Sequence, residues 1–188
     1  MKHHHEQINY VSRAALKLES AAEVLGLDFR GKTVLDVGSS TGGFTDYALQ
    51  HGAKKVIAVE VGSNQLHTKL RQDKQVELHE KTDIRNFKSS ESTDYILIDV
   101  SFISLKEILP ALKKFCRPDT QIVAMVKPQF EVDDSMKNKG VIKNEKMRRQ
   151  VLRNFENWAK QNFLILAKAD SKVAGRQGNV ERFYLLTR

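Results

Sequence analysis

Short apolar runs alternate along this chain with segments of helical pattern, and this alternation limits the fold more than any other feature. Runs rich in valine, isoleucine and leucine are typical of strands that are buried on both faces of a sheet. We predict such strands at 33–37, 55–60, 76–79, 94–99, 121–127, 163–169 and 182–186. We predict helices at 12–26, 44–50, 64–71, 105–115 and 145–161. The pattern indicates an α/β domain with a mostly parallel, seven-stranded sheet and helices on both faces.

The last two predicted strands differ from the others because no helix separates them. A connection that is too short for a crossover helix favours an antiparallel pair, so we expect an antiparallel last strand. The 188 residues suit one domain, which we place at 1–188. Residues 1–9, which include a run of histidines, are expected to be disordered or tag-like.

The composition excludes several classes of protein. No apolar run approaches the roughly 18–20 residues that span a bilayer, which argues against a membrane protein or a membrane partner. The start of the chain lacks the apolar core of a signal peptide, and the single Cys116 cannot form an internal disulfide, so we expect a cytoplasmic protein. The histidines show no metal-ligand spacing beyond the run at 3–5, so no metal site is predicted. Cys116 is given no catalytic role, and Trp158 is expected in the core.

Positive charge is concentrated in the last third of the chain. The whole chain holds 31 Lys and Arg against 23 Asp and Glu, a net charge of +8. Residues 135–188 alone hold 13 basic and 4 acidic side chains. A basic excess of this kind favours a polyanionic partner, although the lysines could instead only solubilise helix faces.

A turn of small residues at 38–43 joins the first strand to the next helix. The backbone N–H groups of such a turn approach a ligand closely, beyond the carboxyl end of the strand. The glycines fit neither G-x-G-x-x-G nor a phosphate-binding Gly-Lys-Ser/Thr, and Asp36 before the turn suits a cationic ligand. Glu60 ends the second strand, where a carboxylate binds the two hydroxyls of a ribose. Asp83, after the third strand, is placed to reach an adenine amino group.

These features fit S-adenosylmethionine, with the amino-acid group at the turn and the ribose at Glu60. The alternative is a glycine-rich turn that only closes a strand–helix unit. The cofactor-binding residues that we predict are Asp36, Gly38, Ser39, Ser40, Gly42, Gly43, Phe44, Glu60, Asp83, Ile84 and Asp99.

A second constellation consists of Lys17, Asp99, Lys127 and Glu181. Asp99 and Lys127 end the fourth and fifth strands, so both are expected at the same sheet edge as the glycine turn. Mixed lysines and carboxylates in one cleft can tune an amine that accepts a proton, because a neighbouring cation lowers the pKa of a lysine. The alternative is a set of ordinary ion pairs at strand ends.

Several motifs together resemble the TlyA branch of the FtsJ-like ribose 2′-O-methyltransferases, which is often labelled as haemolysin A. The resemblance runs from about residue 10 to residue 186 and rests on five segments in the family's order. These are Ser-Arg-Ala-Ala-Leu-Lys-Leu at 12–18, the loop at 36–44, Asp-Val-Ser-Phe-Ile-Ser-Leu at 99–105, Val-Lys-Pro-Gln-Phe-Glu at 126–131 and Gly-Asn-Val-Glu at 178–181.

The resemblance implies a Rossmann-like S-adenosylmethionine methyltransferase fold and a cytidine ribose of ribosomal RNA, free or in subunits, as the substrate. S-adenosylhomocysteine would be the product. Lys127 would be the general base for the 2′-hydroxyl, Lys17 and Asp99 would tune and orient it, and Glu181 would hold Lys17 or the ribose. The basic stretch 137–153, with Lys172 and Arg176, would hold RNA phosphates near the cleft.

Two other activities remain possible at this point. One is methylation of a base nitrogen, against which the segment 99–102 argues, and the other is a non-catalytic RNA-binding or assembly factor on the same fold. Family members usually carry an S4-type RNA-binding domain before the methyltransferase part, whereas here about ten residues precede the first helix. Phe130 is either a stacking platform for a target base or a packing residue. We find no segment suited to pore formation, so direct lysis of cells is not expected.

Overall fold

The computed structural model describes residues 9–132, 142, 144–175 and 178–188. Its helices and strands follow the predicted alternation. The helices are α1 (Arg13–Leu25), α2 (Gly43–Gln50), α3 (Thr68–Arg71), α4 (Leu105–Leu112) and α5 (Glu145–Ala159). The strands are β1 (Thr33–Val37), β2 (Lys55–Val59), β3 (Val76–His79), β4 (Thr93–Ile98), β5 (Cys116–Val126), β6 (Leu164–Asp170) and β7 (Arg182–Thr187). Short 3₁₀ turns follow α4 and β5, at Lys113–Phe115 and Pro128–Phe130.

The seven strands form one sheet in the order β3-β2-β1-β4-β5-β7-β6. The pairs among β1 to β5 are parallel, whereas β7 is antiparallel to both β5 and β6. The predicted mixed sheet with an antiparallel last strand is therefore confirmed. The strand order reverses between β1 and β4, and ligands of open α/β sheets bind at the carboxyl ends of the strands beside such a reversal.

Two apolar cores cover the two faces of the sheet. One contains Leu109 of α4 and Phe155 of α5, and the other contains Leu18 of α1 and Phe44 of α2. The central strands β1, β2 and β4 are buried on both faces, which explains why their sequences are nearly continuous apolar runs. Trp158 is half-buried and packs against the first core, as expected.

Two predicted elements have starts that are wrong by four or five residues. The helix expected at 64–71 begins only at Thr68, because Asn64 has a φ of 57° and the segment before it turns to bring Gly62 N–H to Glu60. The strand expected at 121–127 begins earlier, at Cys116, which pairs with Thr93 of β4.

Some predictions concern residues outside the described part of the chain. These are the disorder or tag-like character of 1–9, apart from residue 9, and part of the basic stretch, at 137–141, 143 and Arg176. Within the described residues, no helix is both long and apolar enough to cross a membrane. The same residues contain no group of three or more His, Cys, Asp or Glu side chains arranged to hold a metal ion.

Candidate active site

A cleft of about 690 Å³ opens at the carboxyl ends of the parallel strands. It lies where the sheet order reverses, so it occupies the position that the topology favours for a ligand. All four members of the charged constellation line it, together with five of the predicted cofactor residues besides Asp99. The lining residues from these sets are Lys17, Gly38, Ser40, Glu60, Asp83, Ile84, Asp99, Lys127 and Glu181.

A smaller pocket of about 70 Å³ adjoins this cleft at the glycine turn. Its lining includes Asp36, Gly38, Ser39, Ser40, Gly43, Phe44 and Asp99, so most of the predicted turn residues surround it. Ser12, the N-cap of α1, also lines it and was not predicted. Gly42 faces Leu66 and Leu70 instead, and there a Cβ would lie 2.3 Å from a Leu70 methyl carbon.

The turn needs glycine at position 38. Gly38 has a φ of 81°, and a Cβ there would lie 2.9 Å from the backbone oxygen of Asp99. Its N–H donates to Val59 O at 2.9 Å, and Asp99 N–H donates to Val37 O at 3.1 Å. These contacts draw the ends of β1, β2 and β4 close together, so no side chain fits at position 38.

Glu60 is held in the cleft by backbone groups. Its two carboxylate oxygens accept hydrogen bonds from Ser40 N–H at 2.9 Å and from Gly62 N–H at 2.8 Å. The glycine turn and the loop after β2 are therefore joined through one side chain. A carboxylate oxygen accepts more than one hydrogen bond, so Glu60 keeps capacity for the hydroxyls of a ligand.

Asp83 lies at the adenine end predicted from the sequence, but it already has a partner. The Arg85 guanidinium donates to Oδ1 at 3.0 Å and to Oδ2 at 2.6 Å, and it holds the pKa of Asp83 below its usual range. Ile84 beside it is buried. The structure thus places a fixed carboxylate and an apolar wall where the sequence predicts an adenine.

Asp36 is completely buried at the end of β1. Thr45 donates a hydrogen bond of 2.6 Å to one carboxylate oxygen, and the other oxygen has no partner among the described residues. Burial raises the pKa of Asp36 to about 7, with the nearby Asp99 carboxylate adding to the effect. A cation bound in the small pocket would stabilise the ionised form of Asp36.

Lys127 and Asp99 form an ion pair across the ends of β5 and β4, with Nζ and Oδ1 2.6 Å apart. The Lys127 side chain is only 11% exposed. Its ammonium also donates to the hydroxyl of Ser101 at 2.8 Å, a contact that the sequence did not predict. Two partners on one loop therefore fix the position of this amine at the cleft.

Lys17 and Glu181 form a second ion pair in the same cleft, at 2.9 Å. Lys17 comes from α1 and Glu181 directly precedes β7, and the Glu181 side chain is only 3% exposed. A Cβ on Gly175 would lie 2.0 Å from Glu181, so glycine at 175 is needed for this arrangement. Two lysine–carboxylate pairs thus line the same cleft as the predicted cofactor residues.

An aromatic pair forms part of the rim. Phe102 is 91% exposed and has a φ of 66°, which is unusual for a large side chain. Its ring lies 5.1 Å from that of Phe130. A strained backbone that presents an apolar ring to solvent points to a binding role rather than to packing. The sequence pointed to Phe130 and not to Phe102, although both lie in segments that resemble those of the family.

The family model for FtsJ-like methyltransferases matches residues 10–188. A Campylobacter jejuni protein named 23S rRNA (cytidine-2′-O)-methyltransferase TlyA is 44% identical over 178 residues, which are 93% of this chain and 70% of that protein. A Mycobacterium tuberculosis protein named 16S/23S rRNA (cytidine-2′-O)-methyltransferase TlyA is 38% identical and covers 94% of this chain. This chain spans 68% of the latter protein.

A solved structure from Streptococcus thermophilus, described as a candidate hemolysin, is similar in fold, with a TM-score of 0.91 and 40% identity. The match covers 98% of this chain and 69% of the other. Both the hemolysin label and the methyltransferase names are therefore found among the relatives.

Proposed function

The chain belongs to the FtsJ-like methyltransferase family, in its TlyA branch, and we propose that it methylates a ribose 2′-hydroxyl of ribosomal RNA with S-adenosylmethionine. The nucleoside would be a cytidine, as the names of the relatives say of those proteins. The observation that carries the proposal is the half-buried Lys127–Asp99 pair, which lies in the same cleft as the glycine turn.

The residues of the cleft fit S-adenosylmethionine. The turn excludes a Cβ at Gly38, and Asp36 beside the small pocket has an unpartnered buried oxygen that a cation would stabilise. Glu60 would hold the ribose, and Asp83 with Ile84 would hold the adenine. When bound, the cofactor supplies a methyl group on a positively charged sulfur. All five residues line at least one of the two adjoining cavities, so a single ligand can reach them.

Lys127 would accept the proton of the 2′-hydroxyl as the ribose oxygen bonds to the methyl carbon. The bond from that carbon to sulfur would break at the same time, its electron pair would neutralise the sulfur, and S-adenosylhomocysteine would leave. The lysine must first lose one proton of its own to solvent, because it is paired with Asp99 as a cation and donates a hydrogen bond to Ser101. These two partners keep Nζ in place while its charge changes. Positioning the hydroxyl against the methyl group would supply much of the remaining rate enhancement.

The Lys17–Glu181 pair would contact the substrate at a point different from Lys127. Glu181 fixes the ammonium of Lys17, which leaves the lysine's remaining N–H donors for a ribose or phosphate oxygen. Phe102, exposed on the rim, would stack on a base that has been unstacked from its neighbours. Together these residues favour a nucleoside within an RNA loop over a paired one.

One assay tests the proposal. The protein is incubated with S-adenosylmethionine labelled on the methyl group and with ribosomal RNA or ribosomal subunits, and the RNA is digested to nucleosides. We expect label on a 2′-O-methylated nucleoside. Label on a base would indicate a base-nitrogen methyltransferase, and binding of cofactor and RNA without transfer would indicate a non-catalytic factor.

The pH dependence of cofactor affinity tests the assignment of Asp36. Because the pKa of Asp36 is raised to about 7, its carboxyl is protonated below that pH and cannot stabilise the cofactor's ammonium group. We expect the affinity for S-adenosylmethionine to rise as the pH increases from 6 to 7 and to level off towards pH 8, with a slope of up to about tenfold per pH unit. Calorimetry measures this without any turnover.

The comparison for that titration is Asp36→Asn, which removes the ionisable group and keeps the shape of the side chain. Its affinity should be weaker at pH 8 and nearly independent of pH. Equal pH profiles for the two proteins would show that Asp36 does not respond to the cofactor.

The exposed side of α5 is expected to bind RNA phosphates. Lys146, Arg149 and Arg153 are exposed at helical spacing and therefore share one side of the helix. Arg148, which is buried on the opposite side, donates to Val180 O at 3.1 Å, next to Glu181. The basic side of α5 is thus attached to the segment that carries the second ion pair.

Salt titrations test this surface. The double variant Arg149→Ala/Arg153→Ala should bind RNA more weakly, and the slope of log affinity against log salt should become shallower by about 1 to 2. The matched control is Lys54→Ala/Lys74→Ala, which removes two exposed charges near the amino ends of β2 and β3, away from the cleft. If the slope of log affinity against log salt becomes shallower by the same amount in both double variants, α5 is not a specific phosphate-binding surface.

A further inference from the structure

We propose that Glu131 is a positioning residue that holds the Lys127 loop against the Asp99 loop and so keeps the amine of Lys127 aimed at its substrate. The inference rests on the proposed function, since it concerns the same methyl transfer. Glu131 lies outside the cleft lining and does not touch Lys127, so its effect would pass through the two loops.

The contacts of Glu131 are specific. One carboxylate oxygen accepts a hydrogen bond from the hydroxyl of Ser104 at 2.6 Å, and the other accepts one from Leu105 N–H at 2.8 Å. Ser104 is the N-cap of α4, and Leu105 is its first residue. Both oxygens are therefore used at a helix start, where free N–H groups and the helix dipole favour a negative charge.

These bonds connect the two loops at a second point, in addition to the Asp99–Lys127 ion pair. The first loop runs from Asp99 to Ser104, and the second runs from Lys127 through a 3₁₀ turn to Glu131. The Asp99–Lys127 ion pair joins the loops at the sheet, and Glu131 joins them again at α4. The rings of Phe102 and Phe130 meet between these two links.

The two connections between the loops restrain the groups that would act on the substrate. The segment 127–131 is short, and its turn is fixed internally because Phe130 N–H donates to Lys127 O at 2.8 Å. Displacing Glu131 from α4 would therefore shift Lys127 and Phe130 together. The first loop carries Phe102 in a strained backbone conformation, which persists only where surrounding contacts impose it.

Three substitutions distinguish positioning from simple stabilisation. Glu131→Ala removes both acceptors, and Glu131→Asp keeps the charge but is one methylene too short to reach α4. Glu131→Gln keeps the length and one oxygen acceptor. At saturating RNA and cofactor, we expect the single-turnover rate to fall at least tenfold in the Ala and Asp variants. It should stay within about threefold of wild type in the Gln variant, with cofactor affinity unchanged in all three.

A matched control separates the effect from lost stability. Glu156 is a half-buried carboxylate that accepts hydrogen bonds from Tyr184 at 2.9 Å and from Lys168 at 3.0 Å, far along the chain from both loops. Glu156→Ala should lower the melting temperature without changing the single-turnover rate at 25 °C. If Glu131→Ala also melts earlier but keeps the wild-type rate, Glu131 only caps α4 and the proposal is wrong.

A measurement on the protein without cofactor gives an independent readout. Mass spectrometry after brief acetylation compares the reactivity of Lys127 with that of Lys17, whose partner Glu181 lies on another segment. We expect Lys127 to react severalfold faster in Glu131→Ala and Glu131→Asp, and Lys17 to be unchanged. Unchanged Lys127 reactivity would contradict the proposal, whereas a wild-type protein that transfers no methyl group would overturn the proposed function alone.

Discussion

Replacing Lys127 by alanine is expected to lower the rate of methyl transfer by about 10²–10⁴-fold, the usual contribution of a general base. The reason is that Lys127 would be the proton acceptor for the 2′-hydroxyl, and no other basic side chain among the described residues contacts Asp99. Cofactor affinity should change by less than about threefold, because every predicted cofactor residue except Asp99 lies at the end of β1, on the turn after it or near the ends of β2 and β3, and Asp99 itself is kept in the variant. Single-turnover kinetics and calorimetry measure the two quantities.

Two comparisons make the Lys127 experiment decisive. Lys74→Ala removes an exposed lysine away from the cleft and should leave the rate unchanged. Small primary amines added to Lys127→Ala should restore part of the activity, because they can occupy the space of the lost amine. Wild-type rates in Lys127→Ala would exclude this residue as the base.

Gly43→Ala is expected to damage both stability and activity. A Cβ at position 43 would lie 2.4 Å from the Ser12 hydroxyl, 2.8 Å from Ala14 Cβ and 2.9 Å from Ala15 N, all at the start of α1. Two of these atoms belong to or are attached directly to the helix backbone, so α1 must move away from α2. Overpacking of this kind costs about 1–3 kcal/mol, which lowers the melting temperature by roughly 2–12 °C.

The activity loss in Gly43→Ala should exceed what the lower stability explains. α1 carries Lys17, and the displaced helix would separate it from Glu181. The matched control is Gly26→Ala, which has a φ of 64° but meets no atom within 4 Å. It should cost about 1 kcal/mol and leave methyl transfer intact at 25 °C. Thermal unfolding and transfer assays at that temperature separate the two variants.

The strands and the glycine turn could be predicted because their signals are local. A strand buried on both faces must be apolar throughout, so the predicted bounds of β1, β2 and β4 are correct to within one residue at each end. Parallel strands also end at a common edge, and for this reason the sequence alone places Asp36, Glu60 and Asp99 close together.

Other features depend on contacts between distant segments. Lys17 and Glu181 are 164 positions apart, and in the sequence only the resemblance to a family links them. The positive φ of Phe102 and the reach of Glu131 to α4 follow from how two loops meet, and no pattern within either loop reveals this. The site residues that could not be predicted from the sequence are therefore mainly those that join one loop to another.

The position of β7 between β5 and β6 has a consequence for when the cleft is complete. During synthesis, α1 and β1 to β6 leave the ribosome before β7, so a gap stays open in the sheet until β7 is available. Glu181 directly precedes β7 and pairs with Lys17 of α1, so the Lys17–Glu181 ion pair also cannot form before this part of the chain is synthesised. A partly synthesised chain could hold the glycine turn and Lys127 but would lack a complete cleft. The order of the strands thus delays completion of the cleft until β7 has been made.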